Sequence, residues 1–94
     1  MNVDIPDQRK VVSFYGPEKQ SVIHMEECAE LIQAISKMKR GRNAAAFENL
    51  IEEVADVLII IEQLKLIYKI PDHAIQDMVY KKAARQEARI RDAH

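Results

Sequence analysis

Residues 49–64 read NLIEEVADVLIIIEQL, and the fold turns on this stretch. Leu50, Ile51, Val54, Val57, Leu58, Ile61 and Leu64 recur at three- and four-residue intervals, which is the period of a helix with a buried stripe. Phe47 extends the pattern backwards, and it continues to about Tyr68. From Val54 to Ile61 the helix is apolar nearly all round, interrupted only by Asp56. A helix without a polar face belongs at the centre of a bundle or at a subunit interface.

The flanking sequence is helical too. On the N-terminal side, Pro17 to Arg40 shows a helical pattern, with Val22, Met25, Ala29, Ile32 and Ser36 or Ile35 on one stripe. Cys28, Leu31 and Met38 lie beside that stripe. Pro17 suits a first helical position, where its missing N–H has no partner to lose. Gly41 stops this helix, and Lys37, Lys39 and Arg40 complement its negative end. Asn43 is the expected N-cap of the next helix. Pro71-Asp72 closes that one and opens a last helix carried by Ile75, Met78, Val79, Ala83 and Ile90. Residues 1–15 lack a clear period and read as an N-terminal extension of one domain spanning 1–94. There is no strand alternation and there are only two glycines, so the expected class is all-α. Short links between long helices predict antiparallel neighbours in a helical bundle.

A chain of 94 residues buries only about 60–65% of its unfolded surface. Homo-oligomerisation, to a homodimer or a dimer of dimers, is therefore expected to complete the bundle. The net charge of −1 offers no global field for nucleic acid. The longest apolar run, Val57 to Ile61, is too short to span a membrane. The opening MNVDIPDQRK does not read as a secretion signal, so the chain is expected to be cytoplasmic. A single cysteine, Cys28, excludes an internal disulfide and is expected to be a buried, inert thiol. Phe14 is expected in the core.

The chemistry lies in four acids. Glu27 and Glu30 are three residues apart and share a helix face, and Glu53 and Asp56 repeat that spacing on the next helix. If these helices pack antiparallel, four carboxylates converge, a costly arrangement unless a cation sits among them. An ionised Asp56 inside VADVLIII is expensive without a partner. Oxygen-only ligands suit Mg²⁺, which shares its shell with water and phosphate. One ExxE pair by itself reads as a solvated helix face, and so does Glu52.

The segment GPEKQSVIHMEECAELIQAISKMKRGR (16–42), followed by NLIEEVADVLIIIEQL, resembles the MazG-like all-α nucleotide pyrophosphohydrolases. Their ExxE–spacer–ExxD signature falls on Glu27, Glu30, Glu53 and Asp56, and YKKAARQEARI (80–90) matches as well. The resemblance covers about residues 14–91. It implies Mg²⁺-dependent hydrolysis of an NTP or dNTP to the monophosphate and pyrophosphate, with Mn²⁺ as a substitute metal. A glutamate would accept the proton of the attacking water. Lys82, Arg85 and Arg89 share one face of the last helix and would neutralise the phosphates. Gln20 returns to nearly the helical angle of Glu27, with His24 between them, so Gln20 is a candidate substrate contact.

The resemblance leaves open a related substrate, phosphoribosyl-ATP, and a non-catalytic helical interaction module. A carboxylate-bridged di-iron bundle wants an ExxH motif, whereas this chain has only His24-x-x-Glu27.

Overall fold

The computed structural model describes residues 3–93. Four helices follow one another, with no strand among the described residues: α1 (Arg9–Tyr15), α2 (Pro17–Arg40), α3 (Ala44–Tyr68) and α4 (Asp72–Ala93). Helices α2 and α3 pack against each other along their length, and α1 lies against both. The early part of α2 meets the late part of α3, as the His24–Gln63 hydrogen bond shows, so the pair is antiparallel.

The helix ends follow from local chemistry. Pro17 opens α2 directly after Gly16, whose φ of 81° lies where a side chain is strained and glycine is not. The Gly41 N–H donates to the Lys37 carbonyl and closes α2. The Asn43 side chain accepts the Ala46 N–H at 2.8 Å, capping α3. Asn43→Ala should therefore cost about 1 kcal/mol and lower the melting temperature by about 5 °C, whereas Asn43→Gly should cost only a few tenths. Thermal melts of the two variants at one protein concentration check this, and equal melts would remove the cap's assigned role. At the other end of α3, Lys69 adopts the left-handed conformation with φ 54°. Lys65 then bridges the helix junction, with Nζ 2.6 Å from Glu62 and 2.7 Å from Asp72 at the start of α4.

Four sequence expectations change. Residues 9–15 form a helix, fastened at its start by the Asp7 carboxylate accepting the Arg9 N–H at 2.9 Å. Phe14 is exposed rather than core, with its ring edge-on to Tyr15. Cys28 is exposed rather than buried. The apolar stripe of α2 faces outward: Met25 is 66% and Ile32 68% exposed. What α2 turns towards α3 is Gln20, His24 and Ala34, all buried, with Glu27, Leu31 and Met38 half-buried on the same face.

The antiparallel expectation also narrows. Beyond the Lys65–Asp72 ion pair, helix α4 does not pack against the other helices among the described residues, and none of its own residues is buried. It leaves the α2–α3 pair at the Lys65–Asp72 junction.

Candidate metal centre

The α2–α3 seam is polar at its middle. On α3 the buried residues are Ala46, Glu53, Ile60 and Gln63, so a glutamate occupies a position where helix packing ordinarily places an aliphatic side chain. Helical spacing puts Glu30 one turn beyond Glu27, and Asp56 one turn beyond Glu53. Because the helices run antiparallel, the two pairs meet. One carboxylate oxygen from each of Glu27, Glu30, Glu53 and Asp56 lies within 4.8 Å of the others. Glu30 is exposed at the rim, Glu27 and Asp56 are half-buried, and Glu53 is buried.

This convergence has no internal counter-charge. Among the described residues the ion pairs join Arg9 to Asp7 and Lys65 to Glu62 and Asp72, and none reaches the four acids. Glu27 Oε2 and Glu53 Oε2 are buried without a hydrogen-bond partner. Such orphaned acceptors are uncommon in folded proteins and each calls for a cause. Two like charges about 5 Å apart repel by roughly 3 kcal/mol at an effective dielectric of 20. Glu27 and Glu53 respond by holding their protons more tightly. Burial pushes the Glu27 carboxyl up to about 7, helped by Asp56 beside it and then by Glu30 and Glu53. Burial raises Glu53 as well, with Glu30 and Asp56 adding to the effect. A hard divalent cation among the four would satisfy both orphaned oxygens and cancel the repulsion, and an all-oxygen donor set is what such a cation prefers. The residues present therefore fit a divalent metal ion.

The other expected site residues are placed differently. Lys82, Arg85 and Arg89 are exposed on α4, away from the carboxylates of their own chain. Gln20 is only 2% exposed, and its amide oxygen lies 3.3 Å from His24 Nε2. Its nearest partner is thus a side chain of the same helix and not open space for a ligand. Two further residues, Gln63 and Gln8, join this polar seam without standing out in the sequence. Gln63 Oε1 lies 2.9 Å from His24 Nε2, and Gln63 Nε2 donates to Gln8 Oε1 at 2.9 Å. The available signal was the position of Gln63, seven residues after Asp56 and hence on the same face of α3.

The family described as the MazG nucleotide pyrophosphohydrolase domain matches residues 17–90, which takes in α2, α3 and most of α4. No curated protein and no solved structure matches the chain at a significant level.

Proposed function

The chain belongs to the MazG nucleotide pyrophosphohydrolase family, and from that premise we propose that it hydrolyses an NTP or dNTP to the monophosphate and pyrophosphate in a Mg²⁺-dependent reaction. The observation that supports this most is the convergence of Glu27, Glu30, Glu53 and Asp56 with two buried oxygens left unpartnered. These four carboxylates would hold the cation. When bound, it supplies Lewis-acid stabilisation of phosphate charge and a more acidic water, and Mn²⁺ could take its place. The chain itself contributes the rest. A glutamate of the set accepts the proton of the attacking water. The seam between α2 and α3 holds the acids at fixed spacing, so the reacting groups are positioned before substrate arrives.

The cationic side chains Lys82, Arg85 and Arg89 are the proposed phosphate contacts. Since α4 stands clear of its own α2–α3 pair, these residues would serve the site of a second copy. A homodimer or dimer of dimers also accounts for the outward apolar faces. Val22, Met25 and Ile32 of α2, Val54 and Ile61 of α3, and Met78 of α4 are all exposed in the single chain. Burying a side chain of this size is worth about 1.5–3 kcal/mol, so a second copy that covered several of them would be held firmly. Sedimentation at micromolar concentration should therefore give a dimer or tetramer, and Ile32→Glu should shift it towards monomer. A wild type that sediments as a monomer would contradict the assembly.

The activity is tested by following pyrophosphate release from each NTP and dNTP, and from phosphoribosyl-ATP. At least one NTP or dNTP should yield monophosphate and pyrophosphate in equal amounts with Mg²⁺ and neither in EDTA. Release of orthophosphate instead, or turnover that persists in chelator, would contradict the reaction. No turnover of any nucleotide would favour the non-catalytic interaction module.

A further inference from the structure

The seam that brings the four carboxylates together has few fully buried apolar side chains, with Leu31 and Met38 of α2 half-buried on it. Its buried apolar residues are Ala34, Ala46 and Ile60, two of them without a side chain long enough to key one helix into the other. Sliding α3 by one helical turn would displace Glu53 and Asp56 by about 5.4 Å from Glu27 and Glu30. The three-residue link at 41–43 limits such a slide at one end of the seam, and a directional contact near the other end would fix it.

A directional polar chain crosses the seam beside the carboxylates, and its polarity can be read from one end. The Pro6 carbonyl can only accept, so Gln8 turns Nε2 towards it at 2.8 Å. Gln8 Oε1 then faces Gln63, which donates from Nε2 at 2.9 Å. Gln63 Oε1 is left facing His24 Nε2 at 2.9 Å, and Gln20 Oε1 approaches the same nitrogen at 3.3 Å. Both groups facing His24 Nε2 are acceptors, so that nitrogen carries the proton and donates. His24 lies one turn before Glu27 on α2, and Gln63 two turns after Asp56 on α3. Both are buried, at 6% and 7% exposure.

We infer that the His24–Gln63 hydrogen bond is the register pin of the carboxylate centre, and that His24 is a positioning residue acting through its Nε2–H. The inference rests on reading the four acids as a metal site. A buried directional bond is satisfied in one register and orphaned in any other, which is how single buried polar residues specify helix register elsewhere. The four acids put such a pin under load, because without a cation their repulsion favours any slip that separates them. Gln8 holds Gln63 in the accepting orientation, so the chain ahead of α1 takes part in ordering the centre.

The test compares His24→Leu, His24→Gln, His24→Asn and the double variant His24→Leu/Gln63→Leu. Mn²⁺ affinity without nucleotide is read by electron paramagnetic resonance, helicity by circular dichroism, and kcat and KM by pyrophosphate release. A glutamine amide nitrogen reaches about as far as imidazole Nε2 and donates, whereas asparagine falls short. His24→Gln should keep Mn²⁺ affinity within about threefold of wild type, and His24→Leu and His24→Asn should weaken it by roughly tenfold or more, the scale of a lost supporting contact. Turnover should follow through kcat with KM little changed. The double variant removes both ends of the bond between α2 and α3, leaving only Gln8 Oε1 and Gln20 Oε1 to lose a donor each, so it should remain helical and still bind Mn²⁺ weakly. A helical double variant with wild-type Mn²⁺ affinity would overturn the inference. So would equal affinities in the glutamine and asparagine variants, which decide the matter even if both leucine variants fail to fold. A wild type that binds Mn²⁺ but turns over no nucleotide would count against the proposed reaction alone, because the affinities test the pin without it.

Discussion

Glu27→Gln, Glu30→Gln, Glu53→Gln and Asp56→Asn are each expected to lower Mg²⁺-dependent pyrophosphate release by roughly 100-fold or more. Loss of groups that merely support a metal ligand costs about 10–100-fold, and loss of a ligand should exceed that. Each substitution keeps the side chain's shape and removes one charge from a set of four that meet within 4.8 Å. Glu52→Gln provides the control. Glu52 neighbours Glu53 in sequence but is exposed and stands outside the cluster, so its variant should stay within about twofold of wild type. Steady-state rates at saturating Mg²⁺, with the fold of each variant verified by circular dichroism, make the comparison. If two of the four variants kept near wild-type turnover, the carboxylates would not be the catalytic centre.

The same crowding predicts how stability without metal depends on pH. Burial and the neighbouring Asp56 hold the Glu27 carboxyl at about 7 in the folded chain, against an ordinary value of 4.5. Between those values the folded chain keeps a proton that the unfolded chain has released. Stability in EDTA should therefore be greatest near pH 4.5, fall as pH rises to about 7, and level off above it. Glu53, also raised by burial, acts in the same direction. For Glu27 the loss is on the order of 2 kcal/mol after solvent screening, which is about 10 °C in melting temperature for a domain of this size. Mg²⁺ binds the folded arrangement only. At a hundred times its dissociation constant it should restore about 2.7 kcal/mol and flatten the pH dependence. Asp56→Asn removes one charge from the cluster, so in EDTA at neutral pH it should be no less stable than wild type and should gain less from Mg²⁺. Melts between pH 4.5 and 8 at one protein concentration, with EDTA or with Mg²⁺, test this. A wild type indifferent to Mg²⁺ with a flat profile in EDTA would mean that the acids are not strained.

The helix borders were legible because single residues with unambiguous backbone chemistry mark them: Pro17, Gly41, Asn43 and Pro71. Residues 9–15 escaped because seven residues are too few to display a period, and the helix is held by α2, α3 and the Asp7–Arg9 hydrogen bond rather than by its own pattern. The outward face of α2 was misjudged for a different reason. Hydrophobic periodicity finds the most apolar stripe, and in this chain that stripe is Val22, Met25 and Ile32 on the surface of the monomer. The inward stripe carries Gln20, His24 and Glu27, which a pattern search assigns to solvent. The carboxylate set could be read in advance because an acid inside VADVLIII contradicts its surroundings unless it has a task. Gln63 offered no such contradiction. Its role depends on Gln8, 55 residues away, and only the folded seam brings the two together. The orientation of α4 was likewise beyond reach, since an amphipathic pattern marks a face that can pack but not what it packs against.

Glu27, Glu30, Glu53 and Asp56 are proposed to form one metal centre. Anomalous diffraction from crystals grown with Mn²⁺ and a non-hydrolysable nucleotide, recorded at the manganese edge, tests it most directly. One or more anomalous peaks coordinated by these four carboxylates are expected, with nucleotide phosphate oxygens completing the ligand shell. Well-occupied manganese elsewhere on the chain, with the four acids free of metal, would contradict it.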